Sequence, residues 1–261
     1  MFKYGLKLWS TNQAYIPDLV KLYKQREFNY IELYCIPGSF KEYIKKWEKI
    51  KIPYIIHAPH SKYGFNLAKK ENETKNRQLF VEVQKYADKL KAKSIIVHPG
   101  LAGNIKETNR QIALIYDKRI LLENMSFLAT DNKTICHGAT IKDLNIILKR
   151  HKLGFCLDIG HAICTANYLK IKPITLLNKM LKLSPKLYHF SDNQYDSIID
   201  QHLNIGQGDY PIKKIMSLLP KNCLISIETT KNYSNSLKDF KLDIQTLNHI
   251  ILDDSLRKTE H

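Results

Sequence analysis

Short β-rich runs recur along the chain, and a segment with helical spacing follows each of them. Several runs are continuously apolar, such as YIIH, SIIVH, ILLEN and CLISIE. Continuously apolar strands are typical of a parallel sheet that helices cover on both faces. The predicted strands are residues 4–9, 30–34, 54–57, 94–98, 120–124, 154–158, 187–191 and 224–228. The predicted helices are residues 14–25, 41–49, 76–90, 104–115, 141–149, 173–183, 211–218 and 237–251.

Eight strand–helix units predict an α/β fold, a single (β/α)8 TIM barrel over residues 1–261, with the functional site at the carboxyl ends of the strands. The length of 261 residues suits one such barrel. The rival is a doubly wound open sheet, but neither G-x-G-x-x-G nor G-x-x-x-x-G-K-[ST] follows any predicted strand. The polar tail after about residue 253 is expected to be mobile.

Ionisable and imidazole side chains lie at or just after the ends of six consecutive predicted strands. They are His57, His98, Glu123, Asp158, His161, His189, Asp200, His202 and Glu228. A lone histidine or carboxylate there is more often a hydrogen-bonded or ion-paired structural residue. Nine such groups at one barrel mouth would repel and desolvate one another unless cations neutralised them. Imidazole and carboxylate without thiolate suit zinc, manganese or iron(II). The set therefore predicts a metal site.

Other polar signals are weaker. Five cysteines without a C-x-x-C pair argue against a disulfide framework and a thiolate zinc site, and Cys156 and Cys223 are expected in the core. His60 is expected near the cleft, and His151 at a helix carboxyl terminus. The G-x-G-D run at residues 206–209 is either a plain turn or a phosphate contact through its backbone N–H groups.

The charge is strongly basic, with 41 Lys and Arg against 25 Asp and Glu, a formal net charge of +16. Such a balance favours anionic partners, although most of the excess is lysine, and arginine is the usual choice for bidentate phosphate contacts. No apolar run reaches the length of a membrane span, and no signal peptide is visible at the amino terminus. We therefore expect a cytoplasmic monomer without a membrane partner.

At these residues the chain resembles the endonuclease IV family of apurinic/apyrimidinic endonucleases (AP endonuclease family 2), within the xylose-isomerase-like barrel superfamily. GFCLDIGHA, HFSDNQYDSIIDQHLNIGQGD and the following ETT carry the resemblance. It implies up to three Zn²⁺ ions, hydrolysis of DNA on the 5′ side of an abasic site, and catalytic roles for Glu123 and Glu228. The implied ligands are His57 and His98 for the first zinc, with Glu123 bridging to the second; Asp158, His189 and Glu228 for the second; and His161, Asp200 and His202 for the third.

The chain departs from the family in the loop APHSKYGFNLA, where its base-stack-inserting side chains have no firm match. His60, Tyr63 and Phe65 are the candidate substrate contacts there. The segments between the fourth and fifth strands and between the sixth and seventh also look short.

A second interpretation rests on a resemblance to the sugar and sugar-phosphate isomerases and epimerases of the same superfamily. These use one Mn²⁺ or Mg²⁺, here on Glu123, Asp158, His189 and Glu228, and the two glutamates would move a proton at a carbon next to a carbonyl. A small phosphorylated sugar would then be the partner in place of abasic DNA. The two interpretations differ in how they use the remaining ligands, because a one-metal isomerase has less use for His57, His98, Asp200 and His202. A third interpretation is a non-catalytic metal- or nucleic-acid-binding barrel, although no closed four-ligand zinc cage is visible.

Overall fold

A computed structural model describes residues 2–253. Eight parallel strands close into a barrel in which each strand pairs with the next, and the last pairs with the first. The strands are β1 Lys3–Trp9, β2 Tyr30–Tyr34, β3 Tyr54–His57, β4 Ile95–Val97, β5 Ile120–Glu123, β6 Gly154–Asp158, β7 Leu187–Phe190 and β8 Leu224–Ile227. The barrel predicted from the sequence is confirmed, and the predicted mobile tail lies outside the described residues.

Nine α-helices occur within residues 2–253, one more than the sequence predicted. They are α1 Ile16–Lys24, α2 Phe40–Glu48, α3 Glu73–Lys89, α4 Ile105–Leu114, α5 Ile141–His151, α6 Ile159–Tyr168, α7 Pro173–Leu181, α8 Ile212–Ser217 and α9 Lys238–Leu252. The additional helix is α6. It follows β6 without a turn, and Asp158 caps it by accepting a hydrogen bond from the backbone N–H of His161. None of these helices is long and apolar enough to cross a membrane.

The inside of the barrel is built in two layers. Successive side chains of a strand point to opposite faces, so residues two apart share a face. A small apolar cluster of Tyr30, Ile55, Ile96, Leu121, Cys156 and Leu187 fills the lower layer. Two residues further along, the same inward face carries Glu32, His57, His98, Glu123, Asp158 and His189. The strand period therefore stacks a polar layer on an apolar floor.

The rest of the core lies between the barrel and the helices. The opposite strand faces and the inner helix faces form one large apolar cluster that includes Trp47, Phe80 and Phe240. Inside the barrel, Gly5 leaves room for the ring of Tyr30, because a Cβ at Gly5 would lie 2.3 Å from that ring. The tight floor holds the strand ends, and the side chains on them, in fixed positions.

Candidate metal centre

The nine predicted ligands come together at the carboxyl end of the barrel. Their nitrogen and oxygen atoms form overlapping trios in which the ligand atoms lie within 4.8 Å of one another. Three of these trios are His57–His98–Glu123, Glu123–Asp158–His161 and His161–Asp200–His202, and Glu228 joins His189 and Glu32 in a fourth. The geometry is therefore that of a candidate metal centre.

His57 and His98 meet Glu123 on one side of the site. Their Nε2 atoms lie 3.3 and 3.1 Å from Glu123 Oε2. His57 Nδ1 donates to the carbonyl of Ala58 at 2.7 Å, which leaves Nε2 as the atom with a free lone pair. That buried Nε2 has no hydrogen-bond partner within residues 2–253. Such an orphaned nitrogen fits a metal ligand, because an unpaired buried polar atom is otherwise costly.

His189 marks the middle of the site. Its Nδ1 lies 2.7 Å from Glu228 Oε1, 3.3 Å from Glu123 Oε1 and 3.8 Å from Asp158 Oδ2. Its Nε2 donates to Glu32 Oε2 at 3.0 Å. The carboxylate of Glu32 thereby orients the ring and turns Nδ1 toward the other three groups, the arrangement that proteins use to hold a metal-binding imidazole.

The third group lies on α6 and on the loop that follows β7. Asp200 Oδ2 is 3.5 Å from His161 Nε2 and 3.3 Å from His202 Nε2, and it is buried without a hydrogen-bond partner in the described part of the chain. His161 Nδ1 donates to the carbonyl of Asn124 at 2.9 Å. His202 has a φ of 50°, a left-handed conformation that costs energy outside glycine and is found at functional sites. Gly160 admits Asp200, because a Cβ there would lie 3.3 Å from its Oδ1.

Sequence reasoning missed two charged residues of the site, Lys7 and Glu32. Lys7 Nζ is hydrogen-bonded to Glu228 Oε1 and lies 3.3 Å from Glu32 Oε1. Together with His189 they form a closed ring of alternating charge across the barrel. The available signal was their register: each is a charged residue two positions before the end of a buried strand, on the inward face.

Burial and crowding shift the acid–base behaviour of the site. Burial raises the pKa of Asp158 to about 7. Burial disfavours the cationic form of His161, but the carboxylates of Asp158 and Asp200 outweigh it and raise the pKa to about 9. Burial likewise works against ionisation of Glu123, yet His98 and His189 hold its pKa well below the usual range. The buried carboxylates of the site repel one another, and few positively charged side chains lie near them. A bound divalent ion would reduce this repulsion.

Lys7 is protonated for the same reason. Burial would lower the pKa of its ammonium group, but the carboxylates of Glu228 and Glu32 raise it above the usual value. The side chain is 16% exposed and lines the cavity. A fixed positive charge therefore lies beside the candidate ligands.

A cavity of about 920 Å³ opens above the site, and eight of its lining residues are predicted ligands or loop contacts: His57, His60, His98, Glu123, His161, Asp200, His202 and Glu228. His60 lines it as expected. Burial and the neighbouring His98 lower the pKa of His60 to about 3, so the ring is neutral. Tyr63 packs beside it, with ring centroids 6.0 Å apart.

One loop expectation is wrong, and the structure decides between the two alternatives for a second loop. Phe65 does not line the cavity: it is 1% exposed and packs on Phe80 in the core, because the chain turns inward at Gly64. The second loop is the G-x-G-D run, in which the backbone N–H groups of Gly206 and Gly208 are engaged within the protein. Both donate to Asp192 Oδ2, at 2.8 and 3.1 Å, so this segment is the plain turn of the two alternatives.

The remaining expectations concern cysteine and histidine. All five cysteines are free thiols, with Cys156 buried in the barrel floor and Cys223 half-buried against the outer core. His151 is the last residue of α5, as predicted, and its Nε2 pairs with Asn109 Oδ1 at 2.6 Å. Cys156 Sγ lies within 4.8 Å of ligand atoms of Glu123 and His189, at the floor of the candidate metal centre, whereas His151 belongs to none of the ligand trios found within residues 2–253.

Comparison with known proteins agrees with this architecture. Among curated relatives, the chain is 27% identical over 189 residues to a probable endonuclease 4 of Mycoplasmoides gallisepticum; the match covers 64% of this chain and 59% of that protein's length. A D-tagatose 3-epimerase-like protein superposes with a TM-score of 0.70 at 20% identity, covering 96% of this chain and 97% of that one. Endonuclease IV from Thermus thermophilus superposes with a TM-score of 0.67 at 18% identity, covering 95% and 99%.

The two solved structures share the fold and carry different names, one an endonuclease and one epimerase-like. The family model for the xylose isomerase-like TIM barrel matches residues 20–248, which is most of the chain. The match extends from α1 to α9 and includes all nine predicted ligands. The chain therefore belongs to the xylose isomerase-like TIM barrel family.

Proposed function

We propose that this protein is a metal-dependent phosphodiesterase that hydrolyses DNA on the 5′ side of abasic sites, with up to three zinc ions. The observation that carries the proposal is the third trio, His161, Asp200 and His202. One ion could be held by the groups around His189 alone. The third trio is a further set of ligands that a one-metal site would not need. A site with ligands for several divalent ions suits phosphodiester hydrolysis, in which both the attacking and the leaving oxygen need stabilising.

The residues present fit zinc by their chemistry. Imidazole nitrogens and carboxylate oxygens are its ordinary non-thiolate ligands, and His57 Nε2 and Asp200 Oδ2 are buried without a hydrogen-bond partner within residues 2–253. When bound, zinc lowers the pKa of a coordinated water and neutralises charge on a phosphate. His57, His98 and Glu123 would hold the first ion; Glu123, Asp158, His189 and Glu228 the second; and His161, Asp200 and His202 the third.

The side chains around these ligands orient them. Glu32 and the carbonyl groups of Ala58 and Asn124 each accept one imidazole N–H, which fixes the opposite nitrogen of His189, His57 and His161. Lys7 holds Oε1 of Glu228, so the carboxylate cannot rotate freely. Glu123 and Glu228 are the proposed catalytic residues, since both line the cavity in which a phosphate would have to react.

The cavity also suits an anionic substrate. Three lysines line it: Lys7, Lys62 and Lys231. Among the described residues, the carboxylates that line it are those of Glu123, Asp131, Asp200 and Glu228. Three of those four are proposed metal ligands, whose charge bound ions would balance. Electrostatic attraction of a polyanion would therefore act at the mouth.

A second candidate is a sugar or sugar-phosphate epimerase with one Mn²⁺ or Mg²⁺. The observation that favours it is the approach of Glu123 and Glu228 to the same His189 Nδ1, at 3.3 and 2.7 Å, which places two carboxylates around one point. Such a pair could remove and return a proton at one carbon. This interpretation leaves His57, His98, Asp200 and His202 without a role.

The test is incision of a duplex that carries one abasic site, by protein loaded with zinc. We expect a single cut on the 5′ side that leaves a 3′-hydroxyl, no cut in the same duplex without the abasic site, and loss of activity by orders of magnitude in Glu228→Gln. Failure to cut, together with epimerisation of a ketose by the manganese-loaded protein, would replace this proposal with the second candidate.

A further inference from the structure

Trp9 is a large aromatic residue that the fold leaves open at the mouth of the barrel. It ends β1, it is 50% exposed, and it lines the cavity above the candidate metal centre. The chain has two tryptophans, and the other, Trp47, is fully buried with its indole N–H donated to the carbonyl of Ser10. The indole of Trp9 therefore offers a large, flat aromatic surface to a ligand in the cavity.

A row of aromatic rings connects Trp9 to the metal centre. The ring of Trp9 lies 6.4 Å from that of Tyr34, centroid to centroid, and Tyr34 lies 5.2 Å from His57 and 5.3 Å from His60. The hydroxyl of Tyr34 accepts the backbone N–H of His60 at 3.0 Å, which fixes its ring. The wall from the rim to the proposed ligand His57 is therefore continuous and rigid.

Two polar atoms near Trp9 form hydrogen bonds with the backbone. Asn12 Oδ1 accepts the backbone N–H of Trp9 at 2.7 Å, and the hydroxyl of Tyr15 donates to the carbonyl of Tyr233 at 2.6 Å. What the rim offers a ligand is a flat apolar face.

Two lysines line the same cavity as Trp9. Lys62 lies on the short helix after β3, and Lys231 follows β8, the strand that pairs with β1. A flat apolar face with ammonium groups beside it matches a nucleotide strand, in which a planar base alternates with phosphates.

We propose that Trp9 is a stacking platform for the nucleobase next to the abasic nucleotide, with Lys62 and Lys231 beside the flanking phosphates. This inference rests on the proposed function and names a binding residue outside the metal centre. Within residues 2–253, the hydrogen bonds and the ring contact of Trp9 join it to Asn12 and Tyr34 and not to a proposed metal ligand, so its replacement should leave the metal centre intact. Stacking of one base on an aromatic side chain corresponds to about a 5- to 150-fold change in affinity.

The test uses tryptophan fluorescence and a duplex with one tetrahydrofuran abasic analogue, in a Glu228→Gln background that does not cut it. Trp47 is buried, so quenching on titration reports Trp9. We expect quenching in the parent, loss of quenching with retained affinity in Trp9→Phe, and about 5- to 150-fold weaker binding in Trp9→Leu. Metal content should be the same in all three proteins.

The matched control is Tyr116→Leu. Tyr116 is 54% exposed and lies just before β5, at the opposite end of the barrel, so this variant should bind like the parent. Binding of the duplex with equal affinity by Trp9→Leu, without quenching in the parent, would overturn the stacking role and leave the proposed function standing. Absence of binding in every protein would overturn both.

Discussion

His189 and Glu32 form a fully buried pair, with Nε2 of the imidazole 3.0 Å from Oε2 of the carboxylate and neither side chain exposed. Glu32 also accepts a hydrogen bond from the hydroxyl of Ser226. The pair lies under the candidate metal centre and decides which imidazole nitrogen faces it. Glu32 is thus part of the centre, and its carboxylate lies within 4.8 Å of ligand atoms of both His189 and Glu228.

Replacing Glu32 should weaken metal binding without removing a ligand. In Glu32→Leu the imidazole of His189 loses its acceptor and is free to rotate, and we expect about a 10- to 100-fold loss of metal affinity by competition with a chelator dye. Glu32→Gln keeps an acceptor oxygen and should lose less. Asp88→Asn, on the surface, is the control. Unchanged affinity in Glu32→Leu would show that the pair is only structural.

His202→Ala should lower the metal content by about one ion per chain. His202 is 40% exposed at its side chain and belongs only to the trio with His161 and Asp200, so the other ligands stay in place. Elemental mass spectrometry of the purified variant measures the change. His249→Ala, on the outer helix α9, should keep the wild-type content. Equal content in His202→Ala and wild type would refute the third position.

Binding of abasic DNA should weaken steeply with salt, because bound phosphates release counterions. Lys62→Ala should reduce the slope of log affinity against log salt by about one. Lys118→Ala is the control, since Lys118 precedes β5 at the opposite end of the barrel. Fluorescence anisotropy at several salt concentrations measures both slopes. A flat dependence in the wild type would indicate a small neutral ligand in place of DNA.

Asp243 gives the protein a pH-dependent stability term. Burial raises the pKa of its carboxyl above 3.8, although it accepts hydrogen bonds from Thr229, Asn204 and the backbone N–H of Ile205. An acid with a raised pKa in the folded state binds more protons there than in the unfolded chain. Its contribution to stability is therefore largest below 3.8 and falls as the pH rises through the raised pKa.

Asp243→Asn removes this term. The free energy of unfolding of the wild type, minus that of Asp243→Asn, should decrease as the pH rises from about 4 to 7. Urea denaturation of both proteins at several pH values gives the difference. A difference that increases over this range would contradict the account of the buried carboxyl.

The strand period made the barrel and most of the site predictable. Ionisable residues at the ends of apolar runs, such as His57 and Glu123, share one barrel end because parallel strands end together. The additional helix α6 was missed, because GHAICTANY follows β6 directly and contains no turn signal. The predicted ligand His161 nevertheless lies beside Asp158, in the first turn of α6, as the three-residue spacing between them indicated.

Side chains in loops were the weaker part of the prediction. Phe65 and Tyr63 lie two residues apart in one loop, yet one is in the core and the other beside His60, since loop residues have no fixed period. Lys7 and Glu32 lie in regular strands, and they were missed for a different reason. A charged residue within a buried strand is expected to be rare, and only the closed barrel shows that Lys7 meets both Glu32 and Glu228.

The most direct test of the three-metal proposal is the metal content of the protein purified without added metal, measured by elemental mass spectrometry. The account predicts close to three ions per chain, mainly zinc, with each implied set of ligands occupied. A content of one ion per chain, mainly manganese or magnesium, would contradict it and favour the epimerase alternative.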